Sequence, residues 1–420
     1  MTNQLATWLD CIEREHRAVR ETGLDRIVRL ARHLGVVRPA SKSVVVAGTN
    51  GKGSTVRYLE QLLLESEHSV GATASPHLKH YNERIRVNGK PVDDESIVRA
   101  FETIQDTVES TPLTYYEWAT LAALVIFRWQ RVEYALLEVG LGGRLDAANA
   151  IEPDVTVITN IGLDHMHLLG SDRESIGSEK AGILRSGVPL VYGDSCTVRS
   201  VMSRAEALGS PLYIAGIDYA YTTGGSSSWD ASFHGREGSS SYRFLGTPSM
   251  ADSASIALQA ALLLDPSIEL SRCKHWLNQS LPGRMEQFQH RGRDWMLDVA
   301  HNPDAARYVR QCLDVRFPHR NVKLLFGCMR DKPAYEMLKM LEIPESRVIV
   351  SDTTGDRGIR ATDLLDDLGP SRVRVEPELS HAIDYLIEST DPHDLILVTG
   401  SFQLVSRVRD VIEIGIGSRR

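Results

Sequence analysis

The chain has 420 residues, of which 42% are hydrophobic and 24% charged, enough for two or three domains with apolar cores. The formal net charge of -8 argues against a protein that coats nucleic acid, because such proteins carry a basic surface. Five scattered cysteines without CxxC spacing favour reduced thiols in a cytoplasmic protein over a disulfide framework or zinc site. The start of the chain has the pattern of an amphipathic helix rather than a signal peptide, and the apolar run at 121–127 is too short to cross a membrane.

The predicted elements alternate between strands and helices. A buried strand at 44–47 is followed by a glycine-rich turn at 48–54 and by a helix with apolar residues at helical spacing. Further strands are predicted at 134–139, 155–161, 190–192 and 212–215. This alternation predicts a parallel sheet covered on both faces by helices.

The second half of the chain repeats the pattern after a different stretch. Residues 224–244 are rich in Ser and Gly and predict either a pair of exposed strands or a loop. After an apolar helix near 256–264, strands are predicted at 295–299, 324–326, 348–350, 373–375 and 395–398. These elements predict a second, smaller α/β domain, with the junction near 286–293.

The turn GTNGKGST has the composition of a phosphate-binding loop. Its backbone N–H groups can hold phosphate oxygens, Lys52 supplies positive charge, and Ser54 is placed to bind magnesium. The spacing departs from the usual G-x-x-x-x-G-K-[ST], because Gly53 stands between Lys52 and Ser54. A strand before and a helix after still favour phosphate binding over a plain turn.

A second cluster, LLEVGLGGRLDAAN, places Glu138 within an apolar strand beside a glycine-rich turn. A buried carboxylate is costly unless a positive group meets it, and a magnesium ion at the phosphate loop would be such a partner. Asp146 lies on the following loop, where it could accept hydrogen bonds from a ligand.

A third cluster contains Asp164 and His165, just past a strand end, where open parallel sheets bind their ligands. Lys180 follows in a helix; by itself it would be read as half of a surface ion pair with Glu179.

A fourth cluster lies near the predicted domain junction. Arg284 is suited to a phosphate, Asp298 to a ribose hydroxyl, and His301 opens a helix at Asn302-Pro303. Each has an ordinary structural explanation, but together they make a ligand cleft plausible.

Taken in order, these segments resemble one family. GTNGKGST, SPHLKHYNERIRVNG, LLEVGLGGRLDAAN, GLDHMHLLG, EKAGI, LPGR and DVAHNP are similar to the dihydrofolate synthase/folylpolyglutamate synthase family of the Mur ligase superfamily. The resemblance covers nearly the whole chain. It implies a P-loop-containing, parallel-sheet Mur ligase-like domain that binds ATP and pterin, placed at 1–287, and a smaller Rossmann-like glutamate-ligase domain at 288–420.

The resemblance also implies ligands for particular residues. Nucleotide contacts map to Thr49, Asn50, Gly51, Lys52, Gly53, Ser54, Arg284 and Asp298, and His301 is implied near the phosphates or the incoming glutamate. Metal ligands for two Mg²⁺ sites map to Ser54, Ser75, Glu138, His165 and Lys180. A bare ammonium group cannot bind a metal. The resemblance therefore implies that carbon dioxide converts Lys180 to a carbamate, which can. Lys52, Lys180 and His301 are the implied catalytic residues.

The implied pterin contacts come from three segments. They are Arg20, Glu21 and Thr22 in an N-terminal loop, Thr114, Tyr115, Tyr116 and Glu117 in LTYYE, and the pair Asp146 and Ala147. Three positions depart from the family pattern. Ala148 replaces a Thr, Tyr116 replaces a common Phe, and Met250 or Asp252 stands where an Asn usually contacts adenine.

The function expected from these features is ATP-dependent ligation of L-glutamate to dihydropteroate and to folates through an acyl phosphate, by a cytoplasmic monomer that binds neither nucleic acid nor membrane. Three alternatives remain open. They are folylpolyglutamate synthesis alone, another Mur-type ligase acting on a cell-wall precursor, and a P-loop ATPase or binding module that forms no bond.

Overall fold

A computed structural model describes residues 4–16, 23–108, 112–223, 228–235, 238–245, 250–270, 273, 275–278, 281–355, 357–368 and 373–412. Contacts between residues divide the chain into two compact units, Met1–Gln279 and Ser280–Arg420. This division precedes the boundary placed at 287/288 from the sequence. No helix in the described part of the chain is both long and apolar enough to span a membrane.

The first unit contains two sheets within its described residues. Its strands are β1 Lys42–Ala47, β2 Val70–Thr73, β3 Ile85–Val87, β4 Lys90–Pro91, β5 Tyr134–Glu138, β6 Val155–Ile158, β7 Leu190–Tyr192, β8 Leu212–Ile214, β9 Ala220–Thr223, β10 Ser228–Gly235 and β11 Gly238–Leu245. Its helices are α1 Gln4–His16, α2 Leu24–His33, α3 Lys52–Glu65, α4 Asp94–Val108, α5 Tyr115–Gln130, α6 Met166–Leu169, α7 Arg173–Lys180, α8 Arg199–Leu208 and α9 Ala251–Leu264.

The larger sheet has the strand order β4-β3-β2-β5-β1-β6-β7-β8. Its six neighbouring strands β2, β5, β1, β6, β7 and β8 are parallel, as the alternation predicts. At one edge, β3 and β4 are added in antiparallel pairing. Val46 of β1 lies opposite Glu138 of β5, and Ala47 lies opposite Ile158 of β6. The carboxyl ends of β1, β5 and β6 are therefore neighbours, at the edge where open parallel sheets bind ligands.

Helix α5 forms much of the core beside this sheet. Its sequence is apolar around most of its circumference, which is typical of a buried helix. Phe127 covers Gly71 of β2 so closely that a Cβ atom at Gly71 would lie 2.4 Å from the ring. Trp118 packs edge-on against Phe101 of α4, with ring centroids 5.6 Å apart. Burial of these aromatic surfaces stabilises the unit and fixes α5 against the sheet.

The smaller sheet has the order β11-β10-β9 and is antiparallel. Strands were one of the two alternatives predicted for 224–244, but the hairpin is exposed on one face only. Trp229, Phe233 and Phe244 are buried, whereas Asp230 and Arg243 form an ion pair that is open to solvent. Successive side chains of a strand point to opposite faces, which explains the buried and the exposed face. The alternation of apolar and polar residues is hard to recognise in the sequence because most of the polar positions are Ser or Gly. Residues 224–227 and 236–237 lie outside the described residues.

The second unit contains a six-stranded sheet within its described residues, in the order β12-β13-β17-β14-β15-β16. The strands are β12 Glu286–His290, β13 Arg293–Leu297, β14 Val322–Phe326, β15 Val348–Val350, β16 Arg374–Val375 and β17 Leu395–Thr399. The helices are α10 Pro303–Arg316, α11 Ala334–Leu341, α12 Ala361–Leu368, α13 Leu379–Ser389 and α14 Phe402–Val411. The sheet is parallel except for β12, so the predicted α/β class is confirmed.

The stretch 286–293, predicted as the domain junction, is instead β12 and the turn that joins it to β13. Glu286 pairs with Leu297 and His290 pairs with Arg293 across this hairpin. The polar residues of β12 resemble a linker in sequence, because this strand is at the edge of its sheet and half of it is open to solvent.

Candidate active site

The phosphate loop connects β1 to α3, and its glycines are required by its shape. Gly48 has φ 148°, and a Cβ atom there would lie 1.8 Å from the Thr159 hydroxyl oxygen. Gly51 has φ 82° and caps α3, whose first residue is Lys52. Positive φ and close packing both exclude larger side chains. The loop therefore brings its backbone to the start of a helix, where N–H groups bind anions.

Two residues that follow β6 hold this loop in place. The Asn50 N–H donates to Asn160 Oδ1 at 2.9 Å, and the Thr49 N–H donates to the Asn160 carbonyl at 3.0 Å. The Thr159 hydroxyl donates to the Asn50 carbonyl at 2.6 Å. Neither Thr159 nor Asn160 was singled out from the sequence. Their only signal was their place in TNIGLDH, at the strand end beside the loop.

Two lysines converge on the carbonyls of the phosphate loop. Lys52 Nζ donates to the carbonyl oxygens of Gly48 and Thr49 at 3.1 and 3.2 Å. Lys180 Nζ, which is buried, donates to the same Gly48 carbonyl at 2.9 Å. Lys180 is therefore not half of a surface ion pair with Glu179, which is how it would be read by itself; Glu179 pairs with Arg144 instead. Two amines that face one loop suit a ligand with several negative charges.

Burial, and to a smaller extent the nearby Lys52 charge, lower the pKa of Lys180 to about 7, against the opposing charges of Asp164 and Asp146. A buried ammonium group lacks the hydration that stabilises its charge in water, and a second ammonium group nearby adds repulsion. Lys180 is therefore neutral in a large fraction of molecules near pH 7. The carboxylates of Asp164 and Asp146 are thus near enough to Lys180 to influence its pKa.

Ser54 and Glu138 offer oxygen ligands beside the loop. The Ser54 hydroxyl is buried and makes no hydrogen bond within the described residues. Glu138 is buried too, and a Cβ atom on Gly53 would lie 3.3 Å from its Oε2. The same Oε2 accepts the Ser75 N–H at 2.8 Å, which places Ser75 at this carboxylate. Carboxylate and hydroxyl oxygens suit Mg²⁺, so these residues fit a divalent metal.

His165 stands at the carboxyl edge of the same sheet. It has φ 51°, precedes α6, and places Nε2 4.0 Å from Asp164 Oδ1. Within the described ranges, no three His, Cys, Asp or Glu side chains form a metal-binding group. The implied ligand set has only two residues of these kinds, Glu138 and His165. Its other members are two serines and a lysine.

Asp146 organises the turn after β5. Its carboxylate accepts N–H groups from Gly140, Leu141 and Ala148 at 3.0, 2.9 and 2.9 Å. Burial raises the pKa of Asp146 to about 6, against the lowering effect of these bonds.

The Tyr116 hydroxyl donates to the Glu138 carbonyl at 2.6 Å, so α5 is tied to the strand that carries the implied metal ligand.

The segment LTYYE builds the start of α5. The Glu117 N–H donates to the Thr114 hydroxyl at 3.2 Å, and the Thr114 N–H donates to Glu117 Oε2 at 2.7 Å. This capping box satisfies backbone donors at the helix start. Arg26 donates to both oxygens of Glu117 at 2.6 Å, so this carboxylate has structural partners.

Other implied pterin contacts have separate surroundings. The Arg84 guanidinium carbon lies over the Tyr115 ring, 5.2 Å from the ring centroid. Ala147 is buried in the turn that follows Asp146. Arg20, Glu21 and Thr22 lie outside the described residues.

The start of α9 lies beside the phosphate loop. The Ser253 hydroxyl donates to the Gly51 carbonyl at 3.4 Å. The neighbouring Asp252 accepts a hydrogen bond from the Tyr221 hydroxyl at 2.7 Å, and the Met250 N–H donates to the Tyr58 hydroxyl at 3.2 Å. Both residues that could take the place of the family's adenine-contacting Asn thus have protein partners, and Asp252 precedes Ser253, which contacts the phosphate loop.

The second unit brings its own predicted residues together. Asp298 follows β13 and accepts the Met285 and Ala300 N–H groups at 2.9 and 2.8 Å. Burial raises the pKa of Asp298, whereas the neighbouring Arg284 charge lowers it. The Arg284 guanidinium lies 4.9 Å from the Phe402 ring centroid, and the His301 ring lies 5.7 Å from the same ring. The contact of Phe402 with Arg284 and His301 was not predicted, because a single Phe after a strand carries no recognisable sequence signal.

Comparisons with known proteins show the family of the chain. Residues 46–191 match the Mur ligase middle domain, and residues 283–402 match the Mur ligase glutamate ligase domain. The dihydrofolate synthase/folylpolyglutamate synthase of Escherichia coli K12 is 35% identical over 410 residues, which cover 97% of this chain and 96% of that protein.

Solved structures are similar over the same length. E. coli FolC in complex with DHPP and ADP has a TM-score of 0.90 and 35% identity, with 97% of each chain covered. The bifunctional folylpolyglutamate synthase/dihydrofolate synthase of Yersinia pestis, complexed with AMPPNP and a Mn ion, has a TM-score of 0.90 and 34% identity, with 98% of each chain covered. The chain therefore belongs to the dihydrofolate synthase/folylpolyglutamate synthase family of ATP-dependent Mur ligases.

Proposed function

We propose that this chain uses ATP to join L-glutamate to dihydropteroate, forming dihydrofolate, and to extend folylpolyglutamates by the same reaction. The observation that carries the proposal is the convergence of Lys52 and Lys180 on the carbonyl of Gly48 in the phosphate loop. Family membership supplies the substrate class.

The chemistry requires an activated carboxylate, because a free carboxylate does not react with an amine at neutral pH. The pteroate carboxylate attacks the γ-phosphorus of ATP, ADP leaves, and an acyl phosphate forms. The glutamate amine then attacks the acyl carbon, loses a proton, and expels phosphate. Lys52 stabilises the charge on the transferring phosphoryl oxygens, and the rigid loop positions them.

A divalent metal fits the oxygen atoms around the loop. Ser54, Ser75, Glu138 and His165 would hold Mg²⁺, and a carbamylated Lys180 would contribute to a second ion. When bound, the metal would neutralise negative charge on the phosphate oxygens. The buried Ser54 hydroxyl supports this assignment, because a buried polar group without a partner is unfavourable unless a ligand satisfies it.

Carbamylation of Lys180 is part of the proposal. Its neutral amine would attack carbon dioxide and lose a proton, which leaves an anionic carbamate on Nζ. Two features support this reaction: the amine is buried beside Lys52, and its pKa is lowered to about 7. A ¹³C NMR carbamate signal in protein equilibrated with ¹³CO₂, lost in Lys180→Met, would identify the modification.

The remaining substrate contacts are proposals on the same basis. Tyr115, Tyr116, Asp146 and Ala147 would contact the pterin, with Thr114 and Glu117 shaping that segment. Arg284, Asp298 and His301 would contact the nucleotide or the incoming glutamate. A monomeric state, a cytoplasmic location and the absence of nucleic-acid partners stay predictions. Sedimentation velocity measures the first of them.

The proposal is tested by supplying dihydropteroate and a reduced folate separately with ATP and labelled L-glutamate. Label should enter both products, one glutamate per ATP consumed. Incorporation into folate alone would remove the dihydrofolate synthase activity. ATP hydrolysis without incorporation into either acceptor would contradict the ligase assignment.

A further inference from the structure

Two segments of the first unit are in direct backbone contact. The first is the stretch 140–150 that follows β5, and the second is the stretch 179–183 at the end of α7. A Cβ atom on Gly143 would lie 3.0 Å from the Glu179 carbonyl oxygen, and one on Gly182 would lie 2.5 Å from a Cα atom of the first segment. Neither glycine has a positive φ, so the close approach of the two backbones accounts for both. We call this contact between the two segments the seam.

Asn149 fastens the seam with its side-chain amide. Its Nδ2 donates to the Arg144 carbonyl in its own segment and to the Gly182 carbonyl in the other, both at 3.1 Å. The side chain is buried, and its Oδ1 accepts no hydrogen bond from the described residues. The donor half of the amide therefore makes the connection. The Arg185 guanidinium adds a second bridge, because it donates to the Asn149 carbonyl at 2.9 Å.

The seam fixes the backbone of Lys180. A Cβ atom on Gly143 would lie 3.1 Å from the Lys180 Cα, and the Arg144 N–H donates to the carbonyl of the preceding Glu179 at 2.8 Å. The other end of the lysine side chain is held where Nζ donates to the Gly48 carbonyl at 2.9 Å. A long side chain loses much rotamer freedom when it is held at both ends, so the place of Nζ depends on the backbone that carries it.

We propose that Asn149 is a positioning residue for Lys180, which closes the seam and so holds the Lys180 amine at the phosphate loop for reaction with carbon dioxide. This inference rests on the proposed function, in which that amine becomes a carbamate. The amine nitrogen forms a bond to the carbon of carbon dioxide and releases one proton to solvent. The carbamate nitrogen keeps one N–H, which can still donate to Gly48. One fixed position therefore serves both forms, and a loosened seam should weaken carbamate formation.

The first measurement is the rate at which acetic anhydride acetylates Lys180 in carbon dioxide-free buffer, read by peptide mass spectrometry. Asn149→Leu keeps the size of the side chain and removes both donated hydrogen bonds. Acetylation of Lys180 should become about tenfold faster in this variant, because the segment that carries it opens more often. Lys42 is the internal reference for general loosening, since its Nζ is held by the Leu264 carbonyl elsewhere in the unit.

The matched control is Asn82→Leu. The Asn82 amide also donates two hydrogen bonds, to the Val92 carbonyl at 2.8 Å and to Asp94 Oδ1 at 2.9 Å, and neither partner belongs to the seam. This variant should leave the acetylation rate of Lys180 at the wild-type value.

The second measurement is the ¹³C carbamate signal at increasing concentrations of ¹³CO₂. Asn149→Leu should need about tenfold more carbon dioxide for its half-maximal signal than the wild-type chain or Asn82→Leu. Raised carbon dioxide should also restore the turnover of Asn149→Leu, whereas it cannot restore a variant that lacks the Lys180 amine. Loss of a merely structural hydrogen bond would not give this rescue.

Equal acetylation of Lys180 in the wild-type chain and Asn149→Leu would overturn the inference. Equally accelerated acetylation of Lys180 and Lys42, or an unchanged carbon dioxide requirement, would do the same. If Asn149→Leu does not fold, Arg185→Met removes the second bridge at a half-buried side chain and should change both measurements in the same direction. A wild-type chain without a carbamate signal would instead contradict the carbamylation in the proposed function, and the acetylation rates would still decide whether Asn149 positions Lys180.

Discussion

Lys180 Nζ donates a hydrogen bond to the carbonyl of Gly48 at 2.9 Å, although the two residues are 132 positions apart in the sequence. The same carbonyl accepts Lys52 Nζ at 3.1 Å. One amine comes from the start of α3 and the other from the end of α7, so the two helices meet at the phosphate loop. This relationship brings a lysine with a lowered pKa to the site of proposed phosphoryl transfer.

Replacement of Lys180 by Ala should reduce kcat by about 10²-fold or more, because the group proposed to hold the second metal ion as a carbamate is removed. Added bicarbonate should not restore the activity, since Ala has no amine to modify. Lys90→Ala, at an exposed lysine of β4, is the control. Activity of Lys180→Ala near the wild-type rate would exclude Lys180 from the reaction.

Lys180 should also lower the stability of the protein in carbon dioxide-free buffer. Its folded pKa of about 7 is below the ordinary value of 10.5, so the unfolded chain binds more protons between these pH values. The destabilisation is full below pH 7 and disappears as the pH rises through 10.5. Lys180→Met should therefore be more stable than wild type at pH 6, on the order of a few kcal/mol, with a smaller gain at pH 9. Urea unfolding at the two pH values measures this difference; an equal gain at both would refute the mechanism.

Glu138→Gln should raise the magnesium concentration required for half-maximal activity or abolish turnover. The amide keeps the shape of the side chain and can still accept the Ser75 N–H, but it lacks the negative charge that attracts the metal. Magnesium titrations of wild type and variant, with melting temperature as a control for folding, give the comparison. An unchanged magnesium requirement would remove Glu138 from the proposed ligand set.

The buried pair of Glu286 and Arg409 should fix the turn that carries Arg284. Arg409 donates to Glu286 Oε2, which also accepts the Gly283 N–H at 2.7 Å. Phe402, at the other end of the same helix α14, lies against the Arg284 guanidinium. Arg409→Met alone should lower the free energy of unfolding by about 3–5 kcal/mol, because it leaves a buried carboxylate unpaired.

The double variant Glu286→Gln with Arg409→Met should recover most of that stability, since no buried charge remains. Its KM for ATP should still exceed the wild-type value if the pair positions Arg284. A double variant with wild-type stability and wild-type KM would show that the pair has no such role.

Much of this arrangement could be predicted from the sequence, because phosphate loops and parallel strands have strong local signals. The strand at 44–47, the glycine turn and Lys52 all depend on neighbouring residues. The partner of Lys180 could not be predicted locally, since its contact with Gly48 depends on the packing of α7 against the sheet edge. The contacts of Phe402 and the Glu286–Arg409 pair could not be predicted either, because they join residues that are far apart in the sequence. β12 was interpreted as a junction because its outward residues are polar.

Ligation of glutamate to dihydropteroate is tested most directly by measuring ATP-dependent phosphate release with dihydropteroate, with and without L-glutamate, while dihydrofolate is quantified in the same samples. We expect sustained phosphate release only when both substrates are present, with one dihydrofolate formed per phosphate. Phosphate release at the same rate without either substrate, and without dihydrofolate, would contradict the ligase activity and indicate an ATPase that forms no bond.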